Sequence, residues 1–335
     1  MPSRFDAANL TKLSDYNKKG VSRRTQPSYL KDLLTYKKGK HQLFLGYLVA
    51  DGNDPKEAYN MLNVPDSVDI VEAFAGYDTV STHWRALQLK GTKIVICSFP
   101  KSDAFFDGSF NDGNGLKPLT KFDKPTANST YDHWARAMHD KYITQMGWDG
   151  IDIDIETGTF GNEAPAENAA SLLQSVAKYF GPKANIKSKT RAGVRPLFLY
   201  DTDVDTEQGE SLSYGKIYKP YKSNYSFVVF QSYIGGSRRW KGSAPAHLDP
   251  LLNAFDKDKL IILTNGDEWV YPNGTQDNAP DGDQKASKWL FEIADWGVKN
   301  KIQGIGAYRM SRDYNHKPSF SVTRKAIQLI NPATP

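Results

Sequence analysis

Eight short apolar runs, each closed by a polar stretch, restrict this 335-residue chain more than any other feature. They are His41–Ala50, Val68–Ala75, Lys93–Phe99, Ile151–Glu156, Val194–Tyr200, Phe227–Tyr233, Leu260–Thr264 and Gln303–Tyr308. Most are nearly continuous in Val, Ile, Leu and Phe, the pattern of strands buried on both faces. Between them lie segments of helical period: Pro55–Leu62, residues 81–89, a helix from Ser129 or Thr130 that stops at Gly147, and Pro165–Tyr179. Later come a weak one over Ser211–Lys222, one starting at Asp249-Pro250, Ala286–Val298 and Ser319–Ile330. Strand and helix in this order predict an α/β fold, a single (β/α)8 TIM barrel with its active residues at the C-terminal strand ends. The competing open, doubly wound sheet lacks support, because no Gly-rich phosphate loop follows the first run.

The fourth run differs from the rest. From Ile151 to Glu156 isoleucine and acid alternate without a break, and an extended chain sends successive side chains to opposite faces. Asp152, Asp154 and Glu156 therefore share one face, with neighbours roughly 6 to 7 Å apart. Carboxylates set so close raise the pKa of at least one of them, and an acid still protonated near neutral pH is what cleavage of a glycosidic bond requires. A strand with one wet face would show the same alternation, yet three successive acids are more than that pattern needs. Calcium is the other reading, since Asp152, Asp154, Glu156 and Glu163 fall at EF-hand spacing. Against it, Thr157 stands where the loop needs glycine and a β-branched run replaces the incoming helix.

Charge and composition exclude several classes. The net charge of +5 is concentrated at the start, where residues 1–40 hold ten Lys and Arg against three Asp and Glu. The remainder is slightly acidic, so no basic groove for nucleic acid is expected. We read residues 1–40 as a polar basic leader packed on or extending from the barrel, and 41–335 as the catalytic barrel. No run of about 18 apolar residues exists to span a membrane, and no signal peptide is visible. Cys97 is the only cysteine, and its place in Ile94-Val95-Ile96-Cys97 reads as a small buried hydrophobe. His133, His139 and His247 show no metal-ligand spacing, and no metal or cofactor is expected.

The segment Asp149-x-x-Asp152-x-Asp154-x-Glu156 resembles the signature of glycoside hydrolase family 18, the chitinases and endo-β-N-acetylglucosaminidases, and lies on the fourth strand as in that family. The likeness of strand order extends over roughly residues 41–330. It implies a retaining, substrate-assisted mechanism with no enzyme nucleophile. By the resemblance Glu156 is the acid and later the base, Asp154 orients the 2-acetamido group and stabilises an oxazolinium intermediate, and Asp152 holds Asp154. Gln231-x-Tyr233 is similar to the pattern of endo-β-N-acetylglucosaminidases and some plant-type chitinases, and the strand Gly304-Ile305-Gly306-Ala307-Tyr308-Arg309-Met310 is similar to the endoglycosidase side of the family. The third strand, in contrast, ends Ser98-Phe99-Pro100 where the family often has Ser-x-Gly-Gly.

Substrate-binding candidates are thus Asp152, Gln231, Tyr233, Tyr308, Tyr47 and Trp240. Gln231 and Tyr233 share a strand face and could hydrogen-bond an acetamide, or simply fill the barrel. Trp240, Arg238, Arg239, Trp269 and Tyr271 fall in loops at the expected C-terminal face, where aromatic rings stack on sugars or pack the loop. Phe105, Phe106 and Phe110 lie in the long segment from Pro100 to Asn128, a length that points to a functional loop. The expected substrate is an asparagine-linked glycan, cut between its two core N-acetylglucosamines by a monomeric enzyme that is secreted or held on a bacterial surface. A chitinase of the same family and a barrel that binds glycans without turnover are the alternatives.

Overall fold

The computed structural model describes residues 27–50, 54–74, 83–98, 127–156, 166–184, 190, 193–203, 217–232, 248–267 and 282–332. Eight parallel strands follow one another in chain order around a closed barrel, β1 (Leu43–Val49), β2 (Ile70–Phe74), β3 (Lys93–Ser98), β4 (Gly150–Ile155), β5 (Leu197–Thr202), β6 (Phe227–Gln231), β7 (Leu260–Asn265) and β8 (Gly304–Tyr308). Helices alternate with them: α1 (Pro27–Lys38), α2 (Trp84–Leu89), α3 (Ala127–Met138), α4 (Ala166–Ala177), α5 (Leu251–Ala254), α6 (Gly282–Asn300) and α7 (Ser321–Ile330). The chain is a (β/α)8 TIM barrel, as the alternation predicts. It forms two compact units, one of Met1–Ile94 with Leu263–Pro335 and one of Val95–Ile262.

In the first unit β1 pairs with β2 and with β8, so Leu45 has Ile70 on one side and Gly306 on the other. Gly306 is needed there, because a Cβ at this position would run into the carbonyl oxygen of Leu45 and the side chain of Leu263. Helix α7 buries Val322, Thr323, Ala326, Ile327 and Ile330, the one-sided spacing of an amphipathic helix. The buried carboxylate of Asp313 caps it, accepting the amides of Val322 at 3.3 Å and Thr323 at 2.7 Å, donors that the first turn of a helix otherwise leaves unsatisfied.

Helix α1 lies inside the stretch read as a leader, and it is attached to this unit by more than charge. It buries Leu33, Tyr29 donates to Asp66 at 2.8 Å, and the Lys37 ammonium meets Asp69 at 3.0 Å. Asp69 also accepts the backbone amide of Phe44 at 2.9 Å and pairs with His41 Nε2 at 3.0 Å. The hydrogen bond to Asp69 raises the His41 pKa against the opposing effect of burial. Burial pulls Lys37 below its usual value, and Asp69 opposes that pull.

In the second unit β3, β4, β5 and β6 pair side by side in register, and α3 packs against α4. The helix expected to stop at Gly147 continues past α3 as a π-helical stretch, His139–Gln145. It then stops as expected, with Gly147 at φ +73° and the Trp148 amide returned to Tyr142 O at 2.8 Å. The fifth strand departs from expectation. Val194 is half exposed and outside it, since Pro196 has no amide to give a ladder, and the first bond is Leu197 N–H to Asp149 O at 2.8 Å. At its other end β5 runs past Tyr200, where the apolar run ends, to Thr202, so Asp201 is part of the strand.

Asp69 is the common partner of three groups, and its loss would take the contacting carboxylate from a buried ammonium that also donates to the Val68 carbonyl. Asp69→Ala is expected to lower the stability of the fold by about 3 kcal/mol, and Lys37→Met added to it should recover part of that loss. Urea-denaturation midpoints of the single and double variants measure both effects; strictly additive losses would defeat the assignment.

Candidate active site

The acid strand is held in place from its foot. Trp148 is fully buried and Asp149 nearly so, and Gly150 lets β4 lie close on β5. A Cβ at Gly150 would sit 2.7 Å from both the Cβ and the carbonyl oxygen of Leu197. Ile151, Ile153 and Ile155 then fill one face of β4, all 0 to 1% exposed. Asp152 and Asp154 occupy the other face and are buried too, at 0% and 5%. Glu156 follows the last strand residue and is only half-buried. Of the three carboxylates it has the most access to solvent.

A second row of acids runs beside the first. Asp152 is opposite Leu199 and Asp154 opposite Asp201 in the parallel β4–β5 register, and Ile155 is opposite Thr202. Glu156 and Asp203 are the residues that follow this last pair on their two strands, and the charge of Asp203 acts on Glu156. Asp201 and Asp203 are each 1% exposed. Strand β6 continues the row, because Asp201 is opposite Val229 and Gln231 lies two residues on. The Gln231 amide donates from Nε2 to Asp154 Oδ1 at 2.8 Å and also hydrogen-bonds Glu156.

Asp154 is held well above the ordinary carboxylate range. Burial is the first cause, followed by the charges of Asp201, Glu156, Asp152 and Asp203. Glu156 is raised as well, by burial first and by the charge of Asp203 second, with the Gln231 hydrogen bond pulling the other way. Glu156 and Asp154 thus act on one another along their own strand, and Asp203, at the end of β5, adds its charge to Glu156. The arrangement offers a buried, readily protonated acid and, above it, a more open acid able to meet an oxygen brought from solution. When Asp154 loses its proton, a positive charge brought close to it is favoured.

Of the candidates read from the sequence, Asp152, Asp154, Glu156 and Gln231 are brought together in this unit. Tyr47 and Tyr308 meet in the other, their rings edge to face at 6.0 Å, and each also packs edge to face on Phe74. Tyr47 is 1% exposed and Tyr308 half-buried. Arg309, at φ +52°, lies over the Tyr308 ring at 5.6 Å and pairs with Asp267 at 3.3 Å. Arg312 bridges Asp267 at 2.7 Å and the buried Asp54 at 2.8 Å. Tyr233, Trp240, Arg238, Arg239, Trp269, Tyr271, His247, Phe105, Phe106 and Phe110 lie outside the described residues. Sequence reading missed Asp201 and Asp203, although Asp201-x-Asp203 repeats the period-two acids of β4 and was there to be found.

Folding raises the Asp154 pKa, so the native state keeps this proton to higher pH than the unfolded chain does. The stability tied to it is complete below the ordinary carboxylate value and is lost as pH rises through the raised one, at about 1.4 kcal/mol per pH unit. Asp154→Asn carries no such proton. Its stability should gain on that of the parent as pH rises, which urea midpoints taken from about pH 4 to pH 8 would reveal. Parallel curves would contradict the assignment.

Comparison with known proteins bears on what this cluster serves. Residues 44–261 match the family profile described as the endo-beta-N-acetylglucosaminidase EndoS TIM-barrel domain. Endo-beta-N-acetylglucosaminidase F2 of Elizabethkingia meningoseptica is 26% identical over 329 residues, with 90% of this chain and 86% of that protein covered. Among solved structures, the endo-beta-N-acetylglucosaminidase of Cordyceps militaris shares the fold at a TM-score of 0.63 and 22% identity, over 92% of this chain and 97% of that one. The catalytic domain of a family GH18 chitinase from the fern Peteris ryukyuensis shares it at 0.53 and 15% identity, over 86% and 99% of the two chains. With that profile covering the barrel from the first strand to the seventh, the chain belongs to the EndoS-type TIM-barrel family of endo-β-N-acetylglucosaminidases, which are glycoside hydrolases.

Proposed function

We propose that this enzyme hydrolyses the β-1,4 bond between the two core N-acetylglucosamines of asparagine-linked glycans, with retention and with the substrate's own acetamide as nucleophile. The observation that carries this reading is the shared amide of Gln231, which ties the buried Asp154 to the more open Glu156. An acetamide attacking its own anomeric carbon develops positive charge, and an ionised Asp154 would stabilise it in a site of low dielectric. Glu156 would give its proton to the leaving oxygen and then accept one from the water that opens the oxazolinium ring. Asp152 would hold Asp154 from below.

Gln231 suits this division of labour because an amide donates without titrating. It can bond either acid whatever the charge of the pair. Tyr308, resting on Tyr47 and Phe74, would offer a phenol and a ring edge to a sugar, as would Tyr233 and Trp240. The resemblance of Gln231-x-Tyr233 and of Gly304–Met310 to the endoglycosidase side supports N-glycan cores over chitin. Such glycans are displayed outside cells, which puts the enzyme in the medium or on the cell surface. No helix among the described residues is long and apolar enough to cross a membrane.

Incubation with glycoproteins should release glycans with a single N-acetylglucosamine left on asparagine, read by mass spectrometry, and proton NMR of the first product should show the β-anomer. Glu156→Gln should cut release by roughly 10²- to 10⁴-fold while glycoprotein binding persists. Cleavage of chitin oligosaccharides with glycoproteins left intact would reject the reading in favour of a chitinase. Binding without release by the parent protein would favour a glycan-binding barrel.

A further inference from the structure

We propose that Asp203, at the end of β5, is a positioning residue for Glu156, placed to set by its charge the pH range over which Glu156 can deliver a proton. The inference rests on the proposed reaction for its catalytic meaning but not for its test. The geometry comes from register: the β4–β5 ladder runs Asp154 opposite Asp201 and Ile155 opposite Thr202, which leaves Glu156 and Asp203 as the next pair on the same face. Asp203 is 1% exposed, so water screens its charge poorly. Glu156 is half-buried and keeps a face to solvent. The two differ in access, and only one of them can both feel the other's charge and reach outward.

The groups facing this pair in the described residues of the unit can be named strand by strand. Strand β4 contributes Asp152 and Asp154, β5 contributes Asp201, and β6 contributes the uncharged Gln231 amide. On β3, Cys97 is opposite Asp152 in the ladder, two positions below Asp154. Among these, Asp201 acts chiefly on Asp154 and Asp203 on Glu156. The two acids of β5 are therefore not equivalent. Asp201 lies level with the carboxylate expected to face a cation, and Asp203 with the carboxylate expected to transfer a proton. A strand that carried Asp201 alone would keep Asp154 raised but take from Glu156 the charge of Asp203.

The test is a substrate-free titration of the full chain, followed by carbon-13 NMR of the Asp and Glu carboxyl groups, together with pH profiles of kcat/KM for glycan release. In Asp203→Asn the Glu156 titration should move to lower pH by about one unit, a tenfold change in its ionisation constant. The high-pH limb of the profile should move with it, because Glu156 loses its proton sooner. Asp203→Glu, which keeps the charge, should restore both. Asp201→Asn should move Asp154 more than Glu156. Should Asp203→Asn fail to fold, the unaltered protein still decides: the Asp203 carboxyl carbon must report the ionisation of Glu156 as a second inflection. An unmoved Glu156 titration, an equal shift from Asp201→Asn, or a missing second inflection overturns the proposal. A parent protein that releases no N-glycan defeats the proposed reaction but not this pairing, which the substrate-free titration decides by itself.

Discussion

Crowding of carboxylates away from water is the constraint on which the chemistry of this protein depends. Burying one ionised acid is costly, and burying several side by side is more so, unless some keep their protons. The second unit places Asp152, Asp154, Asp201 and Asp203 at 5% exposure or less and gives the pair Asp154 and Glu156 one neutral amide to share. That arrangement works against the stability of the fold near neutral pH. The rest of the unit supplies the rigidity that holds the cluster together: the isoleucine face of β4, the tight approach at Gly150 and the buried Trp148.

Much of the architecture was legible in the sequence because it is written in period. Runs such as Phe227-Val228-Val229-Phe230 are hydrophobic on both faces, as strands of a parallel sheet covered on both sides are, and their alternation with helical segments pointed to that sheet. Gly147 marked a helix end because its backbone takes a conformation that side chains resist, and it does so here at φ +73°. The acidic strand was legible for the same reason, as a period-two pattern with one residue type on each face. Boundaries were less so. Pro196 excluded Val194 from β5 in a way that apolar content alone conceals, and the π-helical continuation of α3 has no marker that we can identify in His139–Gln145.

The part of the site that escaped sequence reading was the neighbour across the strand. A single strand shows its own alternation, but which residue of the next strand stands level with it depends on register, and register is a property of the folded sheet. Asp201 looked like the first residue of a polar loop because Asp203 and Asp205 follow it. Once β5 is seen to run to Thr202 and to align Asp201 with Asp154, the same letters become a second acid row. Asp203, alongside, then joins the aspartates of β4 as a charged neighbour of Glu156.

The guanidinium of Arg312 joins two acids that are remote in sequence, Asp54 following β1 and Asp267 following β7, while Asp267 also holds Arg309 against Tyr308. Three connections of the first unit thus answer to one side chain. For anyone exchanging loops with relatives, the segments after β1, β7 and β8 are a single heritable block: a donor loop that lacks its aspartate leaves Arg312 with half its counter-charge, and one that lacks Asp267 also loosens the arginine that sits on Tyr308. Over evolutionary time positions 54, 267 and 312 should change together or not at all.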